Sequence, residues 1–131
     1  MKILCTRRQA RLVGGQLITS GSVGIEVDFE FSEDWQGTAK IAVFSGSGVT
    51  KDVILGEDRC IIPHECLEKH GGHLVVGVYG YRLEDDVKTI VIPTVYANIG
   101  KISPSRLLKS PRAFAEMLIA ENLTAKTVIH Q

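Results

Sequence analysis

Between positions 23 and 31 the chain alternates without a break. Val23, Ile25, Val27, Phe29 and Phe31 are interleaved with Gly24, Glu26, Asp28 and Glu30. Apolar residues at every second position, with acids between, describe a strand with one face in a core and the other in water. The same grammar recurs over residues 3–6, 40–44, 49–55, 59–62, 74–81 and 87–96. Turn-forming clusters punctuate it at Gly14-Gly15, Ser20-Gly21-Ser22, residues 45–48, Gly56-Glu57-Asp58 and Glu84-Asp85-Asp86. Short strands roughly ten residues apart point to a sandwich or small barrel, and the reading taken is an all-β, immunoglobulin-like antiparallel β-sandwich. No helix alternates with the strands, which argues against a parallel α/β sheet. In the 74–81 strand, Leu74, Val76 and Val78 share one face and Val75, Tyr79 and Tyr81 the other. Pro93 removes a ladder donor and so belongs at an edge or a bulge.

Two segments leave this period. Pro63 followed by residues 64–70, closed by Gly71-Gly72, has the proline start and glycine stop of a short helix, about 63–70. Ser103-Pro104-Ser105 marks a boundary, and Ser110-Pro111 opens a second helix at about 111–122, with Phe114, Met117 and Leu118 on one stripe. The expected organisation is a sandwich domain over 1–102 and a linker with a helical tail over 103–131. At 44% hydrophobic, a chain of 131 residues can bury a core without metal or disulfide staples.

Cys5, Cys60 and Cys66 are odd in number and form no CxxC, so buried free thiols are expected. The first eleven residues hold three arginines and no apolar run, which predicts no signal peptide. No stretch approaches the roughly 18 apolar residues of a membrane span. The formal net charge is zero, which argues against nucleic acid as a partner. The charge is nonetheless uneven. Residues 1–22 hold Lys2, Arg7, Arg8 and Arg11 and no acid. Residues 101–131 hold five basic residues against Glu116 and Glu121, so the segment between carries a net −7. Ordinary scatter of charge accounts for this, and the sharper alternative is charge-guided assembly, in which a basic end of one subunit meets the acidic body of another.

One cluster has the residue types of a metal or thiol site: Cys60, His64, Cys66, His70 and His73. Its spacing lacks the tight ligand pairs of a zinc site, and no third group orients a Cys66–His70 pair. Buried cysteines beside surface histidines account for it, and no metal or cofactor is expected. The acids sit on alternate strand positions or in turns, which builds a wet face rather than a carboxylate pair for glycoside hydrolysis. Trp35 is expected to plug the core, and Tyr79 and Tyr81 to lie on a half-buried face. No catalytic set can be assembled, and the expectation is a protein that is not an enzyme.

Five segments occur together in order: residues 20–35 (SGSVGIEVDFEFSEDW), 40–44 (KIAVF), 62–67 (IPHECL), 76–80 (VGVYG) and 92–97 (IPTVYA). Over about residues 1–102 this resembles the N-terminal domain of tail and baseplate structural proteins of phages and prophages of Gram-positive bacteria, the baseplate upper protein among them. The resemblance implies a non-enzymatic virion structural protein. Its sandwich would attach in the tail or baseplate as a homo-oligomer and connect the tail to distal receptor-binding parts. The partners so implied are the chain itself and other tail proteins, with contact to a host cell-surface glycan only indirect, and with no membrane. The implied location is the virion, after synthesis in the bacterial cytoplasm. Within this reading Phe114, Met117 and Leu118 are the expected interface anchors, and Arg106, Lys109 and Arg112 would steer them to an acidic surface. The alternative is a carbohydrate-binding or adhesin module of β-sandwich type, using Trp35 or the Tyr79/Tyr81 face.

Overall fold

The structure, a computed structural model, describes residues 1–105. The expected all-β sandwich is what they form. In chain order the strands are β1 (Lys2–Cys5), β2 (Ala10–Val13), β3 (Ile18–Thr19), β4 (Glu26–Phe31), β5 (Ala39–Gly46), β6 (Val49–Ile54), β7 (Arg59–Ile61), β8 (His73–Glu84) and β9 (Val87–Ser103). One sheet has the order β2-β1-β4-β7 and the other β3-β9-β8-β5-β6. Most neighbours are antiparallel; β1 joins β4 in parallel, and so does β3 with β9.

The alternation that opens the sequence sorts as expected. Val27 and Phe29 are buried, while Glu26, Asp28 and Glu30 are exposed. The strand begins only at Glu26, because Gly24 turns the chain with a φ of 80° and leaves Val23 in solvent. Facing β4, the second sheet contributes Ala42 and Phe44 from β5, Leu74, Val76 and Val78 from β8, and Ile92, Val95, Ala97, Ile99 and Ile102 from β9 to the same core. Trp35 is fully buried between the sheets, 4.9 Å from the Phe31 ring, so the core-plug expectation holds. Among the described residues its Nε1 is a buried polar atom without a hydrogen-bond partner.

Three reversals use two-residue turns whose central residues are both left-handed: Ser47-Gly48, Glu57-Asp58 and Asp85-Asp86. This turn geometry matches the natural twist of paired strands, and the flanking pairs Gly46–Val49 and Glu84–Val87 close it. The long β8–β9 hairpin coils because β9 carries three extra residues relative to β8, with register shifts at Leu74/Val75, Val78/Gly80 and Gly80/Tyr81. The middle shift falls opposite Pro93, which therefore sits at a bulge as its missing N–H requires. The bulges also rephase the strand, so that buried positions 92, 95, 97, 99 and 102 stay on the core side.

The inserted helix is shorter and tighter than expected. In place of two α-turns at about 63–70 there is a single 3-10 turn, His64–Leu67. The cause is Ser47 at the tip of the β5–β6 hairpin. Its hydroxyl donates to the Cys66 carbonyl (3.0 Å) and the Lys69 carbonyl (3.2 Å) and accepts from the Lys69 N–H (2.9 Å). An α-helix would need the Cys66 carbonyl for its own ladder. The second expected helix, about 111–122, lies outside the described residues. β9 ends at Ser103, and the Ser105 N–H donates to Ser20 Oγ at 3.1 Å.

Candidate interaction surface

The two outer faces of the sandwich differ in chemistry. On the four-stranded sheet, the acids of β4 lie between bases of the neighbouring strands. Glu30 meets Lys2 at 3.7 Å and Asp28 meets Arg59 at 3.8 Å. Elsewhere Asp58 meets Lys40 at 3.2 Å and Glu65 meets Lys51 at 3.8 Å. Four of the thirteen acids among the described residues thus have a basic neighbour within the same chain. Such exposed pairs add little stability, but they do neutralise the face.

The outer face of the five-stranded sheet is apolar and aromatic. The register lines its residues up in rows: Ile54, Ile41 and Tyr79; Ala39, Tyr81 and Ile90; Val43, Gly77 and Tyr96; then Leu83 and Lys88 at the hairpin end. Ile41 belongs to no part of the core cluster yet is only 8% exposed, because its flanking outer-face neighbours cover it. Val43, Tyr79 and Tyr81 are half-buried, and four residues stand well into solvent: Ile54 is 70% exposed, Leu83 68%, Tyr96 67% and Ile90 58%. Gly77 lets two side chains lie flat across β8. A Cβ there would meet the Tyr96 ring and the Thr94 methyl at 2.8 Å. Beside the Tyr81 end is a shallow open hollow of about 380 Å³, lined by Gly37, Ala39, Tyr81, Arg82 and Leu83.

Tyr79 and Tyr81 come together as expected, with ring centroids 6.4 Å apart and tilted by 48°. Lys88 crosses from β9 and takes the ring faces. Its ammonium lies 4.7 and 4.8 Å from the two centroids and donates to Tyr79 Oη at 2.6 Å. A sugar could stack on these rings only after displacing a cation held by both. Trp35, the other candidate sugar platform, is sealed in the core.

The cysteine and histidine cluster does not assemble. Cys60 is on β7 of one sheet, whereas Cys66 lies under the β5–β6 hairpin, its Sγ donating to the Phe44 and Val49 carbonyls at 3.6 and 3.7 Å. His73 Nδ1 pairs with Asn98 Oδ1 at 3.2 Å, and His64 lies beside Glu65. No group of three metal-binding side chains occurs among the described residues. Burial pushes the Cys5 and Cys60 thiols up to about 12 and also raises that of Cys66, the opposite of what a thiolate nucleophile needs. Glu65 is held below the usual carboxylate range by its own backbone N–H, with His64 and Lys51 adding to the effect.

The expected interface residues Arg106, Lys109, Arg112, Phe114, Met117 and Leu118 lie outside the described residues. What sequence reasoning missed is the outer sheet face itself. The signal was present: residues 41–44 (IAVF) and 74–79 (LVVGVY) are nearly unbroken apolar runs, and a strand apolar on both faces needs something to cover both. No known family model matches the chain, and no curated protein is found as a relative.

Proposed function

We propose that the chain is a non-enzymatic structural protein of a phage or prophage virion. In this reading it is a tail or baseplate attachment domain that works as a homo-oligomer and connects the tail to distal receptor-binding parts. The observation that carries the reading is the outer face of the five-stranded sheet. Water meets a contiguous apolar and aromatic surface there, of the kind that soluble proteins keep for partners. The five ordered segments that resemble tail and baseplate proteins supply the biological setting. Function in such a setting is assembly through buried surface, with a rigid sandwich as the spacer.

Mass spectrometry of particles purified after prophage induction in the producing bacterium tests this reading. The chain is expected in the particle fraction at a fixed ratio to other tail proteins, and deletion of its coding sequence should leave particles without their distal tail parts. Complete, infectious particles that lack the chain would contradict it. The glycan-binding alternative is less favoured because Lys88 occupies the tyrosine faces and Trp35 is buried.

A further inference from the structure

We infer that the outer face of the five-stranded sheet is where two copies of this chain join, face to face about a twofold axis. The inference rests on the homo-oligomeric part of the proposed function and names its surface.

Size supports a second copy. An aromatic side chain brings about 150–250 Å² and an aliphatic one less, so Ile54, Leu83, Ile90 and Tyr96, each more than half exposed, with the half-buried tyrosines and valines between them, present on the order of 500–600 Å² of apolar area. That is at the upper end of what a monomer leaves uncovered. With a polar rim added, it reaches the roughly 800 Å² per partner of a stable complex. The anatomy matches too. Charge is sparse there: Asp52 lies on the β6 side and His73 and Lys101 at one end, and the Lys88 ammonium, which reaches in from the hairpin end, is held against the Tyr79 and Tyr81 rings. A largely apolar face whose few charges are of mixed sign, with its one inner cation already held by two rings, tolerates apposition to itself, as a twofold contact demands. The face of the other sheet, with its columns of acids and bases, is built to stay wet.

Light scattering coupled to size exclusion on the full chain tests this. Ile54→Lys combined with Ile90→Lys places two charges on the face at positions the core does not use. Leu83→Lys is a second variant, at the two-stranded end of the hairpin beyond the last β5 pairing, where the side chain is 68% exposed. Ile61→Lys, at a residue 54% exposed on the opposite face, is the control. The expected result is a wild-type mass of two chains or a multiple of two. Ile61→Lys should keep it, the double variant should fall to one half or less, and Leu83→Lys should weaken association at least fivefold, all with unchanged far-ultraviolet circular dichroism. An unchanged wild-type mass in both face variants would overturn the inference and leave the homo-oligomer standing. So would dissociation by Met117→Asp with Leu118→Asp while the face variants stay associated, which would put the contact in residues 106–131. A wild-type chain that is monomeric at every concentration would overturn both the inference and the homo-oligomeric reading.

Discussion

Single residues decide how the turns and the interior behave. Ser47 and Asp86 are both non-glycine residues held in the left-handed region, with φ of 55° and 62°. They should respond oppositely to glycine. Asp86 has no side-chain hydrogen bond among the described residues, so Asp86→Gly releases left-handed strain of about 1–2 kcal/mol and gives back about 0.5–1 kcal/mol as chain entropy. The urea midpoint should rise slightly. Ser47→Gly releases the same strain but deletes the hydroxyl that holds Cys66 and Lys69, at about 1 kcal/mol for each of its bonds, so its midpoint should fall. Equal shifts in one direction would show that the hydroxyl clamp contributes nothing.

The buried thiols set an alkaline limit. Below about pH 9 Cys5 and Cys60 are protonated whether the chain is folded or not. Above it the unfolded chain loses these protons while the fold retains them up to about 12, so the unfolded state binds fewer protons and stability falls as pH rises through that window. Unfolding midpoints measured from pH 8 to 11 should therefore decline more steeply in wild type than in Cys5→Ala. Parallel declines would mean that the Cys5 thiol is not protected by burial.

At the scale of elements, the β5–β6 hairpin and the 3-10 turn are one packed unit. A Cβ at Gly46 would come 2.5 Å from the Cys66 carbonyl oxygen, which is backbone and cannot rotate away. Gly46→Ala should cost about 1–3 kcal/mol, read from denaturant unfolding, whereas Gly56→Ala, which faces open space, should cost far less. Much of this level is legible in the sequence, because strands whose apolar residues alternate and whose ends carry Ser-Gly, Glu-Asp or Asp-Asp pairs declare themselves. What is not legible has physical causes. β2 pairs with one neighbour only and β3 has two residues, too few for a period to show. β9 runs on to Ser103, but its bulges space the buried residues by three, two, two and three, which hides the alternation after Tyr96. The 64–70 segment reads as an α-helix because its partner, Ser47, is seventeen residues earlier, and no local pattern reveals that capture. The outer face was half legible: Tyr79 and Tyr81 sort correctly, but Ile54 and Ile90 look in sequence like any core residue.

At the scale of the whole molecule, the sandwich has one neutralised, hydrated face and one apolar face, and that asymmetry is what a connecting protein can use. Charge alone would make assembly salt-sensitive, since the screening length falls from about 10 Å at 0.1 M to about 3 Å at 1 M salt. Burial of apolar area does not weaken with salt in this way. The most direct test is the mass of the intact chain in solution, by light scattering over a concentration series, at about 0.1 M and about 1 M sodium chloride. The account predicts a discrete multimer at both salt concentrations. A monomer at both, with Ile54, Leu83, Ile90 and Tyr96 left in water, would contradict it.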